Sequence, residues 1–154
     1  MSLSDLVTPS AVLANLRVNG KKQALQEIAE RAALVSGLSS REIFNAILQR
    51  ERLGSTGVGD GVAIPHGKLA KCERLFGVFA RLDRPIDFEA PDGLPVDLVF
   101  LLIAPESAGA DHLKALAAVA RLLRNGAIAA QLRAARDETA LYALLTMAPT
   151  SNAA

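Results

Sequence analysis

The chain contains one cysteine, Cys72, and only two histidines in 154 residues. A single cysteine cannot form an internal disulfide, so the sequence excludes a disulfide-stapled secreted domain and fits a reducing cytoplasm. Cys72 lies between Lys71 and Glu73, and we interpret it as an ordinary surface thiol. Cysteines and histidines at the spacing of a zinc site are also lacking, so we expect no bound metal ion.

Long apolar runs and an excess of one charge are missing as well. Hydrophobic residues make up 51% of the chain, but no uninterrupted apolar stretch reaches the roughly 18 residues that indicate a membrane span. Residues 1–9 lack the basic start and apolar run of a secretory signal. The formal net charge is +1, without the basic stripe of a nucleic-acid binder. We therefore expect a cytoplasmic protein that neither enters a membrane nor binds nucleic acid.

Nucleotide-binding motifs are a third absence. Five glycines lie between positions 54 and 67, and a glycine-rich loop can cradle phosphates. However, no Lys-Ser/Thr pair opens a helix after these glycines, and no Gly-x-Gly-x-x-Gly begins a helix after the first predicted strand. We therefore expect no nucleotide and no other cofactor.

Apolar residues recur at helical spacing in five segments, and shorter apolar stretches between them predict strands. The predicted helices cover about 21–36, 39 to just before 54, 111–125, 127–135 and 137–147, and the predicted strands 56–58, 62–64, 75–82 and 94–104. Ser39 with Glu42 three residues later is typical of a capping box. Segment 94–104 is apolar on both faces, which indicates a central strand covered by helices on either side.

These elements predict an α/β fold, a three-layer sandwich with helices on both faces of a sheet. The length suits one domain, which we place at residues 1–148. Residues 149–154 lack apolar anchors and are predicted to form a flexible tail. The order of the strands stays open at this point.

His66 is the first candidate for chemistry, within Ile64-Pro65-His66-Gly67-Lys68. Pro65 restricts the backbone before the ring, and Gly67 is expected to leave room for a phosphate or a bulky partner. Imidazole has a pKa of roughly 6.5, so its neutral, nucleophilic form dominates at cytoplasmic pH. On its own, Pro-His-Gly is more typical of a turn histidine without a chemical task.

His112 is the second candidate, in the first turn of a predicted helix with Asp111 as its expected N-cap. It lies beside a predicted core stripe at positions 113, 116, 117, 120 and 123. Taken alone, His112 is more typical of a partly buried histidine bonded to the backbone. Together with His66, it could hold a phosphoryl group at a helix N-terminus, where backbone N–H groups attract anions.

Arg50-Glu51-Arg52 ends the second predicted helix. Such a run is usually a solvated helix end, but a guanidinium could grip phosphate oxygens in a bidentate fork. The hydroxyls of Ser55 and Thr56 could add donors, since phosphoryl transfer depends on positioning and on neutralising spread charge. Spacing alone does not choose between Arg50 and Arg52.

The sequence RERLGSTGVGDGVAIPHGK, residues 50–68, resembles the active-site signature of enzyme IIA domains of the bacterial phosphoenolpyruvate-dependent phosphotransferase system. The resemblance is to the fructose/mannitol type, and within it to the nitrogen-regulatory branch most closely. Further matches are Pro85-Ile86-Asp87-Phe88, residues 95–102, and His112-Leu113-x-x-Leu116-Ala117. The likeness covers about residues 6–147 and identifies the domain as an enzyme IIA of type 2.

The resemblance implies a mixed sheet between helices, the phosphotransferase/anion transport protein-like fold. It implies that His66 is the phospho-acceptor, modified on the tele nitrogen Nε2, that His112 supports the ring and phosphate, and that Arg50 rather than Arg52 stabilises the phosphate. Ser55 and Thr56 remain candidate phosphate-binding residues from their own chemistry. The implied donor is a small histidine-phosphorylated carrier resembling HPr, charged by an enzyme I that uses phosphoenolpyruvate.

Three functions are compatible with these residues. The leading hypothesis is a regulator of the nitrogen phosphotransferase system, whose phosphorylation state controls targets such as a potassium transporter or a sensor kinase in nitrogen and carbon metabolism. The alternative is an enzyme IIA that relays phosphate to an enzyme IIB for fructose or mannitol uptake. A third is a binding module whose histidine is no longer phosphorylated. The downstream target and the oligomeric state stay open.

Overall fold

A computed structural model describes residues 2–147, so the tail predicted for 149–154 lies outside the described residues. The strands are β1 (Val12–Leu16), β2 (Gly57–Gly59), β3 (Val62–Ala63), β4 (His66–Leu69), β5 (Phe76–Ile86) and β6 (Val96–Pro105). The helices are α1 (Lys21–Ser36), α2 (Ser40–Arg52), α3 (Ala110–Leu123), α4 (Gly126–Ala134) and α5 (Glu138–Met147), and two short 3-10 turns, Leu3–Asp5 and Pro9–Ala11, precede β1.

The six strands form one mixed sheet in the order β1-β5-β6-β3-β2, with β4 also paired to β6. Strand β6 is antiparallel to β5 and parallel to β3 and β4. Its residues 98–104 are completely buried, because helices cover both faces of the sheet. The predicted three-layer sandwich and its central strand are therefore confirmed.

Helices α1 and α2 pack on each other. Helix α1 also packs on β5, and α2 packs on β4. On the other side of the domain, α5 packs on β1 and α3 on β6. Helix α1 has the predicted bounds and ends at Gly37, whose φ of 80° suits a residue without a side chain. In the part of the chain that the structure describes, no helix is both long and apolar enough to cross a membrane.

Strands β1 and β4 were not predicted. The sequence of β4, His-Gly-Lys-Leu, has no alternating apolar pattern, and it becomes a strand because all four residues pair with β6. The hydrogen-bonding partner, rather than local propensity, decides this element. This matters for function, because β4 begins at His66.

Two predictions about burial were wrong. Cys72 is a buried thiol whose Sγ donates to the carbonyl oxygen of Arg74 at 3.1 Å, rather than a surface group. In α3, Leu123 is buried as predicted and Leu116 and Ala120 are partly buried, but Leu113 is 66% exposed. The other buried positions are His112, Ala115 and Val119. The helix is rotated relative to the predicted stripe, and this rotation directs His112 into the protein.

Arg81 of β5 fastens the end of α4 to the sheet. It is 9% exposed, and its guanidinium donates to the carbonyl oxygens of Ala14 at 2.8 Å, Leu132 at 2.9 Å and Ala135 at 2.7 Å. A cation at a helix C-terminus is stabilised by the helix dipole and satisfies free carbonyl groups. Arg81 therefore joins β1, β5 and α4.

Candidate functional site

His66 is positioned by the pairing of β4 with β6. It lies opposite Leu102, whose N–H donates to the carbonyl oxygen of Pro65 at 3.0 Å. The ring is half-buried, and its Nδ1 is 2.8 Å from the carbonyl oxygen of Ile64. Since a carbonyl oxygen can only accept, Nδ1 carries the proton in this contact. The neutral ring then has its lone pair on Nε2.

Gly67 has a different role from the one expected. A Cβ at this position would lie 3.1 Å from Cβ and 3.3 Å from the carbonyl carbon of Ala46 in α2. The missing side chain therefore lets α2 pack closely on β4. From the sequence we had expected Gly67 to leave room for a phosphate beside the ring, but Ala46 occupies this space.

The structure brings His112 next to His66. The two ring centroids are 5.6 Å apart and the ring planes are tilted by 53°. His112 is only 7% exposed, and among the described residues its Nδ1 is a buried polar atom without a hydrogen-bonding partner. The second imidazole is thus buried beside the first, close enough to His66 for both to contact one small anion.

The N-cap of α3 is Gly109, with φ 55° and ψ −122°, and not Asp111 as predicted. Asp111 is the second residue of the helix and His112 the third. Glycine adopts this positive φ without the steric cost that an L side chain incurs. His112 still lies in the first turn, where free backbone N–H groups favour negative charge.

The surroundings favour the neutral form of both imidazoles. Desolvation by burial is the main cause that lowers the pKa of His66; the Arg50 cation lowers it further, while the hydrogen bond to Ile64 and the charge of Glu51 oppose this. Burial likewise lowers the pKa of His112; the charge that His66 carries when protonated and the charge of Lys68 lower it further. Both shifts favour the uncharged ring, which is the nucleophilic form.

The two arginines at the end of α2 point to different places. Arg50 donates from Nη1 to the carbonyl oxygen of Gly54 at 2.9 Å, and its charge acts on His66. Arg52 is exposed and lines a cleft of about 330 Å³ together with Lys21, Lys22 and Glu89. The charge of Arg50 therefore acts on His66, whereas Arg52 faces a separate cleft.

Glu51 is a site residue that the sequence analysis missed. Its side chain is 2% exposed, and it accepts from the backbone N–H of Thr56 at 2.8 Å and from the Thr56 hydroxyl at 2.6 Å. Lys21 Nζ lies 2.9 Å from Oε2, the same oxygen that accepts from the Thr56 N–H. The sequence did carry a signal, since Ile43, Ile47 and Glu51 are spaced by four and share the buried face of α2.

Ser55 and Thr56 shape the loop after α2. The Ser55 hydroxyl donates to the carbonyl oxygen of Phe88 and accepts from the N–H of Gly57, both at 3.0 Å. The Thr56 hydroxyl donates to Glu51, and Thr56 is buried. Contact with a phosphate remains a prediction for both hydroxyls, and it would require each proton to leave its present acceptor.

The site thus presents a nucleophilic nitrogen, a second imidazole and a guanidinium within one region. Among residues 2–147, no three His, Cys, Asp or Glu side chains are grouped so that they could hold a metal ion. The arrangement suits transfer of an anionic group to His66, since two neighbouring groups can donate hydrogen bonds to its oxygens.

Comparisons with known proteins agree with one another. Residues 5–148 match the family described as phosphoenolpyruvate-dependent sugar phosphotransferase system, EIIA 2. The sequence is 63% identical over 153 residues to a nitrogen regulatory protein of Bradyrhizobium diazoefficiens, covering 99% of this chain and 100% of the relative. The crystal structure of nitrogen regulatory protein IIA-Ntr from Neisseria meningitidis has a TM-score of 0.89 at 35% identity, covering 94% of this chain and 99% of that chain.

A sugar-specific protein is also similar. The fructose-specific EIIABC component of Bacillus subtilis is 34% identical over 146 residues, covering 94% of this chain but 23% of that protein. The present chain therefore corresponds to about a quarter of this relative and to the whole of the nitrogen regulatory relative. The three-layer fold predicted from the sequence is the fold of the Neisseria meningitidis crystal structure.

Proposed function

Because the chain belongs to the EIIA 2 family of the phosphoenolpyruvate-dependent sugar phosphotransferase system, we propose that His66 accepts a phosphoryl group from a small HPr-like phosphocarrier protein. The protein then holds that group as a regulatory signal in the cytoplasm. The observation that carries this proposal is the 2.8 Å contact between His66 Nδ1 and the Ile64 carbonyl oxygen. It leaves Nε2 as the nucleophile, so the modification would be a tele-phosphohistidine.

The transfer step follows from this tautomer. The lone pair of His66 Nε2 attacks the phosphorus of the donor phosphohistidine, and a new N–P bond forms as the donor N–P bond breaks. The electron pair of the broken bond returns to the donor imidazole. The His66 ring gains positive character during attack, and its Nδ1–H donates more strongly to Ile64 as it does so. No proton has to leave His66.

His112 supports the phosphoryl group through its own tautomer. Buried N–H groups without a partner are rarer in native proteins than buried acceptors without one. The buried Nδ1 of His112, which has no partner among the described residues, therefore holds the lone pair. The proton is then on Nε2, where it can donate to a phosphoryl oxygen.

Arg50 neutralises the charge that the site takes up. A guanidinium has five N–H donors, and among the described residues Arg50 uses one nitrogen on Gly54. The remaining donors can bind phosphoryl oxygens in a fork. Ser55 and Thr56 lie in the same loop, and we propose that their main contribution is to hold this loop in place. To contact a phosphate, each hydroxyl would have to leave its present acceptor, the Phe88 carbonyl for Ser55 and Glu51 for Thr56.

A regulatory role is supported by the higher identity to the nitrogen regulatory protein, 63%, than to the fructose-specific component, 34%. Phosphorylation replaces a neutral ring by a group of charge about −2. Leu113, which follows His112, is 66% exposed and Leu53, in the Arg50 loop, is 85% exposed. A partner that docks on these side chains would sense the charge directly. We propose targets such as a potassium transporter or a sensor kinase.

The alternative is a relay to an enzyme IIB of the fructose or mannitol type, favoured by the similarity to the fructose-specific component. It uses the same His66, His112 and Arg50, so the site does not distinguish the two functions. Incubating the phosphorylated protein with such an enzyme IIB does distinguish them. A regulator keeps its phosphoryl group over the time in which a dedicated enzyme IIA loses it.

The proposal is tested by intact-mass measurement after incubation with phosphoenolpyruvate, enzyme I and the HPr-like carrier. The wild-type protein is expected to gain one phosphoryl group, and folded His66→Ala none. His112→Ala should still be labelled, but more slowly, because it retains Nε2 of His66. Full labelling of His66→Ala would overturn the assignment.

A further inference from the structure

We propose that Glu51, Lys21 and Thr56 are positioning residues for the phosphoryl transfer: they hold Arg50 and the His66 tautomer in place through one chain of hydrogen bonds. This inference rests on the proposed function of His66. None of the three side chains has to touch the phosphoryl group. Their effect is transmitted through the loop after α2 and the β2–β3 hairpin.

The first link joins α1 to the buried carboxylate. Lys21 Nζ is 2.9 Å from Glu51 Oε2, and the two side chains are 18% and 2% exposed. Nζ also lies 4.9 Å from the centre of the Phe88 ring and 3.3 Å from Glu89 Oε1. A buried carboxylate requires donors on both oxygens, and Lys21 places a cation beside Oε2 that orients the Glu51 side chain.

The second link closes the loop that carries Arg50. Both donors of Thr56, its N–H and its hydroxyl, bind Glu51 at 2.8 and 2.6 Å. Within this closed loop, Gly54 N–H donates to the backbone carbonyl of Glu51, and Arg50 Nη1 donates to the carbonyl oxygen of Gly54. The Arg50 guanidinium therefore rests on a loop whose far end is fixed by Glu51.

The third link reaches the acceptor ring. The carbonyl oxygen of Thr56 accepts from the N–H of Ile64 at 3.0 Å, which extends the pairing of Gly57 with Ala63 by one step. The carbonyl of the same Ile64 accepts from His66 Nδ1. The carboxylate of Glu51 thus fixes the residue that selects the tautomer of His66.

A purely structural ion pair would have a different signature. It would lower stability while leaving transfer by the folded molecules unchanged. A positioning role lowers the rate constant at saturating donor, because misplacement of a reacting group by about 1 Å can cost about a hundredfold in rate. It also changes which nitrogen of His66 carries the proton, and stability alone does not affect that.

The experiment compares Thr56→Val with Thr56→Ser, and Glu51→Gln with wild type. Valine is close in shape to threonine but lacks the hydroxyl donor, whereas serine retains it. Asp97→Asn serves as the control for stability, since Asp97 pairs with Arg133 at 2.9 Å in a separate ion pair. Transfer from the phosphorylated carrier is measured over a range of donor concentrations, and the ring nitrogens of His66 are followed by 15N NMR.

Thr56→Val and Glu51→Gln are expected to lower the saturating rate at least about tenfold, with the half-saturating donor concentration nearly unchanged. Both should raise the fraction of His66 protonated on Nε2. Thr56→Ser should recover most of the wild-type rate, and Asp97→Asn should leave rate and tautomer unchanged. If Thr56→Val and Glu51→Gln keep the rate and the His66 tautomer of the unmutated protein, this inference is overturned while the proposed function stands. If the unmutated protein takes up no phosphoryl group, the proposed function itself is overturned.

Discussion

Nδ1 of His66 lies 2.8 Å from the carbonyl oxygen of Ile64, two residues earlier in the chain. This contact fixes the neutral ring with its lone pair on Nε2. It depends on the transition from β3 to β4 at Pro65, whose own carbonyl oxygen accepts from Leu102 of the central strand. The chemistry of the site is therefore set by how this edge of the sheet is paired.

The pH dependence of transfer follows from the lowered pKa of His66. Burial is the main cause, and it disfavours the charged ring. Only the neutral ring can attack, so the rate should fall on acidification with a midpoint below the ordinary value of roughly 6.5. A pH–rate profile with excess donor, together with NMR titration of the ring, measures this midpoint. A midpoint above that value would contradict the account of the site.

Arg50→Ala and Arg52→Ala form a matched pair. Both residues lie in the last turn of α2, but only the charge of Arg50 acts on His66. Loss of a charged hydrogen bond costs about 1.5–3 kcal/mol, so Arg50→Ala should slow transfer about tenfold to a hundredfold. Arg52→Ala should stay near the wild-type rate. Equal effects of the two changes would show that the helix end acts only through its general charge.

Binding of unmodified partners provides a second readout for Arg50→Ala. The guanidinium is proposed to act on the phosphoryl group, so the affinity for an unphosphorylated partner should be nearly unchanged. Calorimetric titration with such a partner measures this. A large loss of affinity would assign Arg50 to docking rather than to transfer.

Gly67→Ala tests the packing of α2 on β4. The new Cβ would crowd Ala46 at 3.1 and 3.3 Å, and overpacking costs about 1–3 kcal/mol. The smaller entropy of the unfolded chain offsets about 0.4–1 kcal/mol of this, so the free energy of unfolding should fall by up to about 2.6 kcal/mol. Chemical denaturation measures this change.

Ala46→Gly provides the control for Gly67→Ala. Alone, Ala46→Gly should lower the free energy of unfolding by about 1 kcal/mol, since glycine is unfavourable within a helix. In its presence Gly67→Ala should lower the free energy of unfolding by less, because the nearer of the two crowding atoms, the Ala46 Cβ, is gone. Equal costs of Gly67→Ala in both backgrounds would show that the Ala46 Cβ is not the obstacle.

The elements that could be predicted from sequence are those whose own pattern decides them. Helix α1 has five apolar residues on one face and a glycine at its end, and its bounds agree with the prediction. Strand β6 is apolar on both faces and is the buried centre of the sheet. Strand β4 could not be predicted, because its polar sequence is extended only through pairing with β6.

The site shows the same division. His66, His112 and Arg50 were predicted from residue type and from the resemblance. In the structure the two rings are neighbours and the charge of Arg50 acts on His66. Glu51 was overlooked because a Glu between two arginines resembles a solvated helix end, whereas its position four residues after Ile47 places it inside. Its partners Lys21 and Thr56 are separated from each other by 35 positions in the sequence, so only the folded chain shows that they meet at one carboxylate.

The central claim is that His66 is the acceptor and that its Nε2 is the reacting atom. Protein labelled with 15N in its histidines, phosphorylated through the carrier, should show by NMR a phosphorus–nitrogen coupling at Nε2 of His66, with Nδ1 still protonated. Coupling at Nδ1, or at either nitrogen of His112, would contradict the account.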